Sequence, residues 1–136
     1  METVTVYNIP NFEDAISMNR SEFYDEQILK SSNKVKPTRA VEHVQILLFS
    51  NDGELLLQKR STKKRHNPGL IDKTVGGHVS WGDTPFFTAV LETLQELSVP
   101  SLVLSADEDF HKNYSLLKEH VSRAAFIQFI DTKTYN

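Results

Sequence analysis

The chain has 136 residues, of which 39% are hydrophobic and 24% charged, with a formal net charge of −3 and no cysteine. Such a length and composition suit one domain with a modest core and lie outside the disordered class. The missing cysteine excludes disulfides, thiolate zinc sites and a cysteine nucleophile, and the charge balance does not describe a chain that coats nucleic acid.

The N-terminus, METVTVYNIPNFED, has no basic start followed by a long apolar run, so no signal peptide is expected. No stretch reaches the roughly 20 apolar residues that span a bilayer. The expectation is a cytoplasmic single domain over residues 1–136 with neither a membrane nor a nucleic-acid partner. Residues 1–40 would form an N-terminal strand and polar segment, and residues 41–131 the core.

Residues 3–7 (TVTVY) alternate and are β-branched, which predicts a short strand. Residues 8–39 are polar and ambiguous; within them SEFYDEQILK has the makings of one or two helical turns, and SSNKVKPT reads as a loop. Residues 44–50 (VQILLFS) and 54–60 (ELLLQKR) predict two strands joined through Asn51-Asp52-Gly53, because Gly tolerates the positive φ that a tight turn needs. Residues 61–67 (STKKRHN) form a polar loop closed by Pro68-Gly69, and residues 71–75 are extended into Gly76-Gly77.

Residues 84–97 carry the strongest helix signal, with Thr84 as cap, Pro85 at the first helical position and Pro100 beyond the end. Phe86, Val90, Leu94 and Leu97 define its expected buried face. Residues 101–104 and 123–130 predict strands, and 114–120 stays open. Strands on both sides of one long helix imply an α/β or α+β layered domain.

On that helix Glu92 and Glu96 are four residues apart, so ~40° separates them around the axis at about 100° per residue. Gln95 falls on the same side. Two carboxylates and an amide oxygen are hard ligands suited to Mg2+ or Mn2+. Asp83, just ahead of the helix, either caps it or turns toward the same ion. Gly76-Gly77 lets backbone approach a ligand closely. Lys59, Arg60, Lys63, Lys64 and Arg65 supply cations for phosphate oxygens, although Lys59 and Arg60 point to opposite faces of a strand. Taken singly each feature has an ordinary reading: a solvated helix face, an electrostatic cap, a soluble loop, a hydrogen-bonding His78. Their order and spacing give them a joint meaning.

That order resembles the Nudix box, G-x5-E-x7-R-E-U-x-E-E-x-G-U with U bulky and aliphatic. Gly77, Glu92, Glu96 and Val99 match, Asp83 and Gln95 are near substitutions, and Leu91, Thr93 and Ser98 depart from it. The flanks look like the subgroup related to type I isopentenyl diphosphate isomerase: Gln58-Lys59-Arg60-Ser61, then Pro68-Gly69, then Gly76-Gly77-His78-Val79. The likeness runs from about residue 39 to 99.

The resemblance implies a Nudix-type mixed β-sheet sandwiched between helices. It also implies divalent-metal-assisted hydrolysis of a diphosphate linkage in a small, nucleoside-diphosphate-type substrate. Glu92 and Glu96 would be catalytic and metal-binding, joined at the metal by Gln95, Gly77 and Asp83, with Arg60, Lys59 and His78 on the substrate. Loss of the box arginine at Leu91 and of a carboxylate at Gln95 points to the alternative, a weak or inactive module that binds a nucleotide or protein partner. Prenyl isomerisation is not expected, because that enzyme uses a cysteine in the segment occupied here by residues 74–80. The chain ends soon after RAAFIQFIDT, which reads as a C-terminally shortened or fragmentary domain, or as half of an intimate homodimer.

Overall fold

The computed structural model describes residues 2–134. In chain order the elements are β1 (Thr3–Asn8), β2 (Ala15–Asn19), α1 (Arg20–Ser32), β3 (Arg39–Val41), β4 (His43–Ile46), β5 (Leu48–Phe49), β6 (Leu55–Leu56), β7 (Gln58–Lys59), β8 (Ile71–Asp72), β9 (Val75–His78), α2 (Pro85–Leu97), β10 (Ser101–Leu104), α3 (Asp107–Leu117) and β11 (Ala125–Gln128). The fold is α+β, with a three-stranded sheet in the order β2-β1-β3 and paired strands β4-β9, β5-β6, β7-β8 and β10-β11. The chain falls into two compact units, one built from residues up to Val44 with His78–Thr88, the other from Gln45–Gly77 with Ala89–Thr132.

The first unit is organised on β1. Its alternation puts Val4 and Val6, both fully buried, against Phe23 of α1, with Ile16, Met18, Tyr24 and Val41 packed around them. β2 pairs antiparallel with β1, Val4 facing Met18 and Val6 facing Ile16, while β3 pairs on the other edge. Beside β3 the same edge bonds residues 79–81: Thr5 donates its N–H to Val79 O (2.9 Å) and Trp81 its N–H to Thr3 O (3.1 Å). The predicted first strand is therefore present and central. The ambiguous polar segment resolves into β2 and a 13-residue helix. Asn19, the last residue of β2, caps that helix by accepting from Ser21 N–H at 2.9 Å.

The second unit buries Ile46, Val75 and Ala89, with Leu48, Leu97, Val103 and Ile127 packed against them. The expected hairpin is present. Ser50 donates to Glu54 O (2.8 Å), Gly53 donates to Ser50 O (3.0 Å), and Gly53 takes φ +81°, the left-handed residue that closes a three-residue loop. Each predicted arm is broken in two, β4 from β5 and β6 from β7. β10 and β11 run parallel, joined through α3 as such a crossover requires.

The α2 helix starts as expected, with Thr84 Oγ1 accepting from Phe87 N–H at 3.1 Å. Its buried face differs from the one the apolar pattern suggests. Phe86 and Leu94 are 44% and 49% exposed, whereas Ala89 is buried and Thr93 wholly so. The stripe Ala89-Thr93-Leu97 is turned inward, because small side chains let a helix approach more closely than Phe or Leu do. Thr93 satisfies its hydroxyl by donating to Ala89 O at 2.7 Å.

Ser98, standing where the box has glycine, adopts φ +55° and donates its N–H to Leu94 O at 2.9 Å, which is the left-handed C-terminal cap. An L-residue in that region is strained by about 1–2 kcal/mol, partly offset in glycine by its freer unfolded chain. Ser98→Gly is expected to stabilise by about 1 kcal/mol and to raise the thermal midpoint by about 3–5 °C in calorimetry.

Candidate active site

Rotating the buried stripe changes where the glutamates lie. At about 100° per residue, Glu96 sits ~20° and Glu92 ~60° from Ala89 around α2, so both lie beside the buried face instead of opposing it, Glu96 remaining exposed. Gln95, ~120° away, is exposed. Glu92 is half-buried, and its side chain lies directly on Gly77 of β9. A Cβ built on Gly77 would come 2.9 Å from Glu92 Cγ and closer still to its Cδ and Oε1. Glycine leaves room there for the carboxylate, which would have to shift for any other residue's Cβ.

The segment before β9 is braced. Thr74 Oγ1 accepts from Leu48 N–H (3.0 Å) and donates to Leu56 O, tying β9 to the β5–β6 hairpin. Asp72 holds two cations: Arg60 Nη1 at 2.8 Å and Lys73 Nζ at 3.2 Å. Arg60 also donates through Nε and Nη2 to His66 O (3.2 and 3.1 Å), so its guanidinium fastens the loop of residues 61–67 to β8. Lys59, paired opposite Ile71, is exposed.

Burial pushes the Glu96 carboxyl above the usual carboxylate range; the Lys73 and Lys64 ammonium groups pull it down and the Asp72 charge adds to the rise. Glu96 thus stands within electrostatic reach of both lysines. Lys64 was legible as one of several loop cations. Lys73, only 19% exposed, gives no signal in the sequence, since a lysine between Asp72 and Thr74 belongs to no motif.

Two sequence-derived candidates fall in the first unit. His78 shares a 2.6 Å hydrogen bond with the Tyr24 hydroxyl through Nε2, and the His43 ring meets it edge-on with centroids 5.0 Å apart. Asp83 donates its N–H to Ser80 O (3.0 Å) and lines a cavity with Tyr7, Glu42 and Trp81; the helix cap is made by Thr84. Among the described residues no group of three or more His, Cys, Asp or Glu is placed to hold a metal ion. No helix among them is long and apolar enough to cross a membrane.

With this geometry in view the family can be stated. The NUDIX domain model matches residues 40–133, and the chain belongs to that family. It is similar to the isopentenyl-diphosphate Delta-isomerase of Streptomyces coelicolor, 38% identical over 78 residues covering 57% of this chain and 40% of that protein. The isomerase of Cereibacter sphaeroides is 36% identical over 66 residues, 48% of this chain and 37% of that one. An uncharacterized Nudix hydrolase of Pseudomonas aeruginosa is 39% identical over 59 residues, 43% of this chain and 35% of that one. The chain spans less than half the length of these curated relatives, and it is a Nudix superfamily member of the isomerase-like type. No solved structure matches it significantly.

Two outcomes follow. Gly77→Ala is expected to shift stability by under about 1 kcal/mol, since only a flexible side chain must move, and a crystal structure of the variant is expected to show the Glu92 carboxylate displaced from β9. Because the folded state raises the Glu96 pKa, ionising that group costs stability as pH rises from the unfolded value to the folded one, and the full cost persists above it. Glu96→Gln removes that cost and is expected to raise the thermal midpoint slightly at pH 7, with the gain vanishing below the unfolded-state carboxylate pKa.

Proposed function

We propose that the chain is a divalent-metal-dependent hydrolase that cleaves a diphosphate linkage in a nucleoside-diphosphate-type substrate. The observation that carries this reading is the contact between Glu92 and Gly77, which joins the first glycine of the box to its glutamate. Two carboxylates with an amide oxygen fit Mg2+ or Mn2+, which characteristically take one or two carboxylates and fill the remaining positions from substrate phosphates and water. Glu92 and Glu96 would hold the ion, with Gln95 and the Gly77 main chain as further oxygen donors. When bound, it supplies neutralisation of the diphosphate oxygens and acidification of water.

The remaining work falls to the chain's own groups. Gly77 fixes the direction of the Glu92 carboxylate. Glu96, with its raised pKa, would accept a proton as general base. Lys64 and Lys73 meet phosphate oxygens, with Lys59 at the margin. Arg60 contributes by holding the cationic loop in position. His78, engaged with Tyr24, is a neighbour in sequence to Gly77 and a substrate contact only through a rearranged hydrogen bond.

The relatives named as isomerases leave room for a different reaction, but this chain has no cysteine to serve that chemistry. A second reading, a binding module with little turnover, is favoured by Leu91 and Gln95, which remove one cation and one anion from the box. A panel of nucleoside diphosphate derivatives and isopentenyl diphosphate, assayed with Mg2+ and with Mn2+, separates the cases. Hydrolysis of some member is expected, falling at least about 100-fold in Glu92→Gln and Glu96→Gln. Leu91→Arg combined with Gln95→Glu is expected to tighten metal binding and raise turnover. Silence on every member, together with no calorimetric Mn2+ binding even in the repaired box, would sink the hydrolase reading.

A further inference from the structure

We propose that the cavity of the first unit binds a small organic cation: a protonated amine, guanidinium or quaternary ammonium group on a compact apolar body. The cavity holds about 400 Å3 and is lined by Thr5, Tyr7, Glu42, Trp81, Asp83 and Thr84 among others, a size within the range of small-molecule sites. The proposal stands apart from the hydrolase reading, because it uses none of the α2 glutamates.

Charge decides the class of ligand. Glu42 and Asp83 bring two carboxylates to the wall, and among the described residues lining it there is no lysine or arginine. The α2 N-terminus on the same wall carries only about half a positive charge, so with Glu42 and Asp83 the lining stays net negative and favours a cation over an anion. The Glu42 carboxylate is set in place before any ligand arrives. Its backbone N–H donates to Thr5 O (2.9 Å), its carbonyl accepts from Val79 N–H (3.0 Å), and its Oε2 accepts from the Tyr7 hydroxyl (3.1 Å). Burial, and then the Glu42 charge, push the Tyr7 phenol above its usual range, so at neutral pH it stays protonated and keeps donating. The donors that hold this carboxylate are neutral, and its fixed position reduces the entropy lost on binding.

The aromatic walls select an organic cation over a bare metal ion. Trp81 is 48% exposed, and its backbone is fixed by the bond from its N–H to Thr3 O. A half-exposed indole beside carboxylates offers a π-face to an ammonium or guanidinium group and apolar contact to its carbon body. Mg2+, which keeps a shell of water and oxygen ligands, would gain nothing from that ring.

Trp81 is the chain's single tryptophan, so its emission reports directly on the cavity. The test titrates the protein with benzyltrimethylammonium and with agmatine, using benzyl alcohol as a neutral control and MgCl2 as an inorganic one, all at matched ionic strength. Both organic cations are expected to change the emission saturably, with benzyl alcohol at least tenfold weaker and MgCl2 without effect. Glu42→Gln and Asp83→Asn are each expected to weaken the cations at least fivefold, with folding checked by circular dichroism. If Glu42→Gln unfolds, Asp83→Asn and amide shift mapping of wild type onto residues 80–84 carry the test. An equal response to benzyl alcohol, a response to MgCl2 alone, or undiminished affinity in the folded variants would overturn the proposal.

Discussion

The arrangement of the second unit depends on how closely α2 approaches its core. Ala89 and Thr93 present little bulk, so the helix settles against Ile46 and Val75 along a stripe of small side chains. Thr93 pays no desolvation penalty for being there, because its hydroxyl bonds back to the Ala89 carbonyl. This close seat brings Glu92 down onto Gly77, where a glycine leaves room for the carboxylate. A bulkier stripe would hold the helix further out and separate the two box residues. Packing and candidate chemistry are thus set by the same few small residues.

Electrostatics around the glutamates are reorganised relative to the box. Leu91, half-buried, brings no charge to the helix. The cations that act on Glu96 come instead from outside it, Lys73 beside β8 and Lys64 on the loop. They are kept in place by a chain of ion pairs in which Arg60 and Lys73 share Asp72 and Arg60 fastens the loop at His66. Partly buried pairs of this kind give geometry more than stability. A loop carrying several like charges would otherwise spread, and the Arg60 clamp keeps its cations on the side of β8.

The first unit has its own logic. β1 is bonded on both edges and buried at Val4, Thr5 and Val6, so it holds β2, β3 and residues 79–81 in register. That register fixes Glu42 against Thr5 and Val79 and sets Trp81 beside Thr3. His78 is occupied with Tyr24 in the same unit. Membership of the Nudix family is shown by the match over residues 40–133. The reaction is a separate matter of which groups the chain carries, and here these are the two glutamates, the glycine and the lysines at 64 and 73.

Much was legible from local rules. Asn51-Asp52-Gly53 encodes its hairpin through the positive φ of Gly53, Thr84-Pro85 encodes a helix start, and the spacing from Gly77 to Glu96 encodes the box; each involves residues close in sequence and a backbone preference of one residue. The N-terminal helix was half legible, because SEFYDEQILK shows too little apolar periodicity until Phe23 finds Val4 and Val6. What needed the tertiary structure were choices between near-equal faces and between distant partners. Periodicity offered Phe86, Val90 and Leu94 as the inward stripe, and only the space available beside Ile46 and Val75 selected Ala89 and Thr93. Nothing local joins Arg60 to His66 and Asp72, Lys73 to Glu96, or Tyr7 to Glu42, since these pairings depend on strand register. The amino-acid sequence by itself determined the family, the helix and the identity of the glutamates; the tertiary structure decided which way they face and which charges surround them, because burial and Coulomb energy depend on separations through space that sequence spacing does not contain.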